Sequence, residues 1–250
     1  MISAILQELN IGKTESSAGV QSELSLLHGC ENMIENKKII SAAWKVILFI
    51  SAVMGILLQI GLFSDRLDLS VLNYYTLMSN MLCAVYFLPA AVYGWKHDGE
   101  TLLPAVKGAL VMCITVTGLV YHFMLAGKFE MQGTLLMSNI LLHYVVPSMT
   151  VLDWILFDRK GHYNKLSPVL WLLAPLLYFV YVVIRVAGGA TLGPYGSKYP
   201  YYFMDIDALG FGKVMLINLI MCVFFLILGY IIVGIDHLLA LRAEKKTTKA

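Results

Sequence analysis

Charge is scarce in this sequence. Asp, Glu, Lys and Arg together make 14% of its 250 residues, while 59% are hydrophobic, and the mean hydropathy is +0.75. Soluble domains carry about a quarter charged residues, so this composition excludes an ordinary soluble domain and points to a polytopic membrane protein. The net charge of +2 gives no ground for a nucleic-acid partner. Cysteine is sparse too. Cys30, Cys83, Cys113 and Cys222 form no CxxC or zinc spacing, so neither a disulfide framework nor a cysteine metal site is indicated. Three of the four lie in apolar runs and read as small buried hydrophobes. No GxSxG elbow, HExxH or P-loop occurs. The N-terminus lacks the basic head, short apolar core and A-x-A site of a cleavable signal.

What is present is a set of long apolar runs. A hydrocarbon core of ~30 Å needs about 20 helical residues to cross it. Six runs qualify, at 39–62, 70–94, 105–126, 134–157, 168–187 and 213–235. The expected fold is all-α, with six transmembrane helices in one bundle at 39–237, a polar tail at 1–38 and a charged tail at 238–250. "SAILQEL" reads as a short amphipathic helix, and "LRAEKKTTKA" is expected to fray. Basic residues flanking the runs set the orientation. Lys13, Lys37, Lys38, Lys96, Lys107, Arg159, Lys160, Lys165, Arg242, Lys245, Lys246 and Lys249 share one side, twelve against Arg66, Lys128, Lys198 and Lys213 on the other. Both termini are therefore expected in the cytoplasm, and the compact chain reads as a bacterial plasma-membrane protein.

Depth can then be read along each helix at 1.5 Å per residue. Thr76 falls about 9 Å below the outer face and His143 about 14 Å, with Asn80 and Asn139 each four residues from its partner. His122, Arg185 and Asn218 sit near the outer ends of their runs. Asp205 and Asp207 precede the sixth. "TLMSNMLC" (76–83) and "LLMSNILL" (135–142) also share LMSN on parallel runs. Polar groups inside a membrane cost several kcal/mol unless paired or set in a wet cavity. Their concentration in the outer half implies a polar cavity open outward and closed toward the cytoplasm.

Each constellation has two readings. Asn139 and His143 share a helix face, and Pro147 cannot donate to the His143 carbonyl; this is either a functional kink or interhelical glue. Thr76 either bonds back to the Leu72 carbonyl or pairs with a histidine that activates its hydroxyl. Arg185 is a snorkelling anchor or a carboxylate clamp. His122 and His143 make a thin metal pair, since zinc wants three protein ligands. "YPYYF" reads as part of an interfacial aromatic belt.

"NYYTLMSN" in the second run, Asn139, His143 and Pro147 in the fourth, and "YPYYFMD" before the sixth together resemble the androgen-induced family of six-span membrane hydrolases, its bacterial six-span members most. The resemblance covers roughly residues 40 to 238. It implies an intramembrane threonine hydrolase of fatty acid esters, with Thr76 as nucleophile and His143 as base by motif position. The sequence departs from the family in Tyr144, which stands where a threonine follows the histidine, and in Ser79-Asn80, which replace an acid. On this reading Asn80 and Asn139 orient the pair or hold the oxyanion. Arg185, His122 and Asn218 meet the substrate, membrane lipids are the surroundings, and neither metal nor organic cofactor is needed. The rival readings are a non-enzymatic transporter or lipid-binding protein with the same cavity, and an assembly protein whose polar residues are glue.

Overall fold

A computed structural model describes residues 17–64, 67–127 and 131–247. The segment "SAILQEL" lies outside them. The chain divides into two compact units, residues 1–40 and 41–250. Residues 17–38, polar or mixed in sequence, belong to a helix that begins at Ser17. Every candidate site residue lies in the second unit.

No strand occurs among the described residues, and six helices are long and apolar enough to cross a membrane. We label them α1 (Leu27–Gln59), α2 (Tyr75–Lys96), α3 (Pro104–Leu125), α4 (Gly133–Phe157), α5 (Ser167–Ala187) and α6 (Phe211–Lys245). The protein is an all-α, multi-pass integral membrane protein. Large apolar side chains stay exposed along the helices, among them Val85, Leu177, Ile184 and Leu219. Water would penalise such a surface, whereas lipid requires it, because only the backbone needs internal partners there.

Local chemistry sets the helix ends. Before α2, Asp68 accepts the Ser70 amide and caps a 3-10 turn at Leu69–Asn73. Tyr74 is then extended, and α2 begins at Tyr75. The run expected to be helical from residue 70 is therefore interrupted, and Thr76 is the second residue of its helix rather than a residue well inside it. Turn-forming Asp, Ser and Asn won over apolar periodicity. Proline opens α3 at Pro104 and stands second in α5 at Pro168, where its missing N–H costs nothing. The C-terminal segment does not fray at 241: α6 continues helically to Thr247, through Leu, Arg, Ala, Glu and Lys, all good helix formers.

The bundle has two chemically different ends. At the end where α3 and α5 begin, a charge cluster is buried. Lys107 is fully buried and bonds Asp153, and Lys45 lies 2.9 Å from the same carboxylate. Asp158 stands 3.8 Å from Lys107. The Lys107 ammonium also sits over the Phe87 ring, 4.2 Å from its centroid. Lys107 is thus an interior residue and not the loop cation expected from the charge count, because Asp153 in an apolar run demands a buried partner. Beside this cluster pack Met112, Trp154, Tyr163 and Trp171. Gly108 makes room for them, since a Cβ there would lie 2.3 Å from Trp171.

α5 and α6 meet at this same end, where a Cβ on Gly229 would lie 2.8 Å from Pro168 and the Tyr230 hydroxyl donates to the Lys165 carbonyl. Toward the other end they diverge around a cavity.

The charge cluster yields an unequal pair of substitution effects. Lys107→Met leaves Asp153 with Lys45, whereas Asp153→Leu takes the shared carboxylate from both ammonium groups, leaving Lys107 with Asp158 at 3.8 Å and Lys45 with the Ser41 hydroxyl. Removing one partner of a buried pair costs about 3–5 kcal/mol. Thermal unfolding in detergent is expected to place Lys107→Met near the low end and Asp153→Leu near the high end. Equal or negligible losses would contradict the assignment.

Candidate functional site

The site is built on two defects in otherwise regular helices. α3 ends in a π-helical turn at Tyr121–Leu125, and α4 contains another at Leu141–Val145. In the second, the Val146 amide donates to the Leu141 carbonyl, one residue further back than in an α-helix. Position 147 is proline and has no amide to give. The Leu142 carbonyl is thereby left without a helical donor. Asn80 of α2 supplies one, with Nδ2 donating to it at 3.2 Å and to the Thr76 carbonyl at 2.8 Å. Asn80 is fully buried. The His143 carbonyl, which Pro147 also leaves free, approaches Gly118 of α3, where a Cβ would lie 3.0 Å away.

This arrangement sets His143 against Thr76. The Thr76 hydroxyl and His143 Nε2 are 3.2 Å apart, and His143 Nδ1 is 3.1 Å from the Asn139 backbone carbonyl. A carbonyl only accepts, so Nδ1 carries the proton. Nε2 is then a lone pair facing the Thr76 hydroxyl, which donates to it. The expected back-bond to Leu72 is not the one made. Tyr121 stacks on the imidazole with ring centroids 3.9 Å apart and planes at 26°, and its hydroxyl accepts from Asn139 Nδ2 at 2.7 Å. Hydroxyl, imidazole and backbone carbonyl thus form one hydrogen-bonded chain, on two helices joined by Asn80.

The repeated Ser-Asn pairs brace this geometry. Ser79 bonds the Thr117 hydroxyl at 2.8 Å and the Thr76 carbonyl at 3.0 Å. Ser138 reaches α1 at the Gly55 carbonyl and the Gln59 side chain, both at 2.8 Å. Asn80 spends both amide hydrogens, on the Thr76 and Leu142 carbonyls, and Asn139 gives one to Tyr121; neither asparagine lines the cavity beside Thr76. Each side-chain oxygen of this pair is buried without a hydrogen-bond partner.

Thr76 also lines the cavity between the diverging α5 and α6. Its empty volume is about 600 Å³, counting the open mouth, and its wall is largely aromatic and apolar, with Tyr121, Phe179, Met221 and Phe225 among the lining residues. Binding pockets for small molecules have this character. Asn218 lines it, with Nδ2 donating to the Val214 carbonyl at 2.8 Å. His122 and Arg185 do not line it. His122 is exposed, its Nδ1 3.3 Å from the Tyr144 hydroxyl. Arg185 is exposed and donates to the Tyr181 hydroxyl at 2.9 Å, which in turn donates to Asn73 at 2.5 Å. Asp205 caps a short helix through the Ala208 amide, and Asp207 pairs with Lys198 at 2.6 Å. Tyr121 and Tyr201, both cavity-lining, were missed from sequence. The first was hidden in an apolar run, and the second was read as belt.

No known protein family, curated protein or solved structure matches the chain.

The brace is testable apart from any chemistry. Asn80→Ala leaves the Leu142 carbonyl unpaired in a buried place, a loss of about 1–3 kcal/mol. A lower unfolding temperature in detergent is the expected result, and an unchanged one would show that the Asn80 bonds are dispensable.

Proposed function

We propose that this protein is an intramembrane hydrolase of lipid esters, with Thr76 as nucleophile and His143 as general base. The observation that carries the reading is the Thr76 hydroxyl facing the unprotonated nitrogen of a histidine whose other nitrogen is held by a backbone carbonyl. A hydroxyl becomes a useful nucleophile only when a base takes its proton, and an oriented base is the general form of that device. The apolar cavity beside Thr76 suits an acyl chain. The resemblance to the androgen-induced hydrolases, carried by the same residues, agrees with this assignment. The excess of basic residues at the opposite end favours a site turned to the outer leaflet, with both termini cytoplasmic, and the compact six-span chain is what favours a bacterial plasma membrane.

The reaction runs in two halves. Thr76 Oγ1 bonds to the ester carbonyl carbon as its proton passes to His143 Nε2. The carbonyl electron pair moves onto oxygen. Collapse of that oxyanion breaks the bond to the alcohol, which leaves with the proton from Nε2. Water then gives a proton to Nε2 and bonds to the acyl carbon; collapse breaks the bond to Thr76 Oγ1, which takes the proton back from Nε2 as the fatty acid leaves.

The test is labelling of detergent-purified protein by a fluorophosphonate. The parent and Thr76→Ser are expected to label, while Thr76→Ala and His143→Ala are not. If the folded parent stays unlabelled while a serine hydrolase labels in parallel, the cavity is a binding or transport site. In that case Thr76→Ser and Thr76→Ala should bind lipid alike.

A further inference from the structure

α5 is a broken helix. Its first stretch, Ser167–Trp171, is separated from Leu173–Ala187 by an irregular turn at Leu172. Pro175 explains the break, since it has no amide to give the Trp171 carbonyl and its ring crowds that carbonyl. A helix bends at such a place. The first stretch packs closely on α6, where Gly229 makes room for Pro168. The second stretch makes no comparable contact with α6. The two helices therefore fork where the proline breaks α5, and the cavity beside Thr76 lies in the fork.

Helical spacing shows which faces line it. Pro175 and Phe179 are one turn apart on α5, while Asn218, Met221 and Phe225 fall at i, i+3 and i+7 on α6; all five line the cavity. Phe225 is buried, one turn from Gly229, and makes the floor. Thr76 of α2 and Val116, Thr117 and Val120 of α3 make the back wall. The loop between α5 and α6 makes the roof, contributing Tyr201, Phe203 and Met204. That loop is held down on α5, with Leu192, Tyr199 and Met204 packed on Tyr178 and Val182. It is also folded tightly, since a Cβ on Gly193 would fall 2.0 Å from the Tyr199 carbonyl oxygen. The side left over lies between α5 and α6. Leu176, Leu177 and Val180 flank it on one helix, and Leu219, Ile220 and Val223 on the other, all exposed. Such a surface belongs in hydrocarbon and not in water.

We propose that the fork between α5 and α6 is a lateral portal, through which an acyl chain of a lipid resident in the bilayer enters the cavity and brings its ester to Thr76. The occupant follows from the walls. They are apolar and aromatic, and the Asn218 amide is already engaged by the Val214 carbonyl, so the lining suits a hydrocarbon chain. From Asn218 to Phe225 the lining of α6 runs about 10 Å along the axis. Thr76 stands second in α2, at the end of its helix, and a bilayer lipid carries its ester groups at the edge of the hydrocarbon. The substrate class is thus a membrane-anchored ester, which presents one chain sideways while the rest of the molecule stays in the bilayer. An ester dispersed in water meets the roof instead. What happens at Thr76 rests on the Thr76–His143 reading; entry of the chain does not.

The experiment places the photo-crosslinking residue p-benzoylphenylalanine at one phenylalanine at a time in the full-length protein, in phosphatidylcholine vesicles. Phe224, exposed on α6, reports lipid outside the bundle, and Phe87, fully buried, reports the closed core. Phe179 and Phe225 report the cavity. Mass spectrometry after illumination measures attached phospholipid. Capture is expected at Phe179, Phe225 and Phe224 and is expected to be lost at Phe87. Met221, on the same face as Phe225, replaces it if the change at Phe225 lowers the unfolding temperature. Fluorophosphonate labelling of the parent in the same vesicles reads the chemistry separately. If the parent labels and Phe225 captures nothing, or only a fatty acid added to the water, the portal is overturned and the threonine reading stands. Capture at Phe225 without capture at Phe179 would bring the chain in past the other side of α6, which also overturns it. If Phe179 and Phe225 capture phospholipid and the parent never labels, the portal stands as a lipid-binding site and the threonine reading falls.

Discussion

Hydrocarbon cannot hydrogen-bond, and a helix that breaks its own ladder inside a membrane must find its missing donor in a neighbour. α4 breaks its ladder twice over, through the π turn at Leu141–Val145 and through Pro147. The Leu142 carbonyl that results is taken by Asn80. That single bond fixes α2 against α4, and with it the separation of Thr76 from His143. A regular α4 would have left neither a reason for Asn80 to be buried nor this approach to Thr76.

The two ends of the bundle handle polarity differently. At one end the charges are neutralised in place: Lys45 and Lys107 share Asp153, and aromatic rings close over them. At the other, the polar groups that line the open cavity are neutral. Neutral donors and acceptors in a largely apolar wall are suited to a substrate that is itself mostly apolar with one polar bond. The closely packed end gives α5 and α6 a pivot, at Pro168 and Gly229, from which their divergence makes the cavity.

Much of this was legible in the sequence, and the illegible parts share a cause. Six apolar runs of sufficient length define six spans, to within a residue at each end for α3, α4 and α5, because length against bilayer thickness is a strong constraint; α1 and α6 extend well past their apolar runs. Thr76, Asn80, Asn139 and His143 stood out because polar residues are conspicuous in such runs. Their partners did not. Tyr121 is amphipathic and hides among apolar neighbours, and Lys107 lies close enough to a helix start to pass for a loop residue. Tyr201 reaches the cavity through a loop whose path no periodicity reports. Depth was misjudged for Thr76 because hydropathy does not register the Asp68-capped turn before it. Arg185 and His122 share the right end of the bundle with the cavity, yet their side chains lead elsewhere.

A π turn also acts as a phase shifter. It holds one residue more than the α-helical turn it replaces, and each residue of an α-helix advances about 100° around the axis. The turn at Leu141–Val145 lies between the start of α4, where Ser138 and Asn139 meet α1 and α3, and its far end, where Asp153 meets Lys107 and Lys45. The bulge sets the angular offset between these two docking faces. Deleting a single residue within it would restore a regular helix and swing everything downstream by roughly a quarter of a turn. His143 or Asp153 could then keep its partner, but not both. The two ends, unlike in chemistry and far apart along the helix, are geared to each other through one surplus residue.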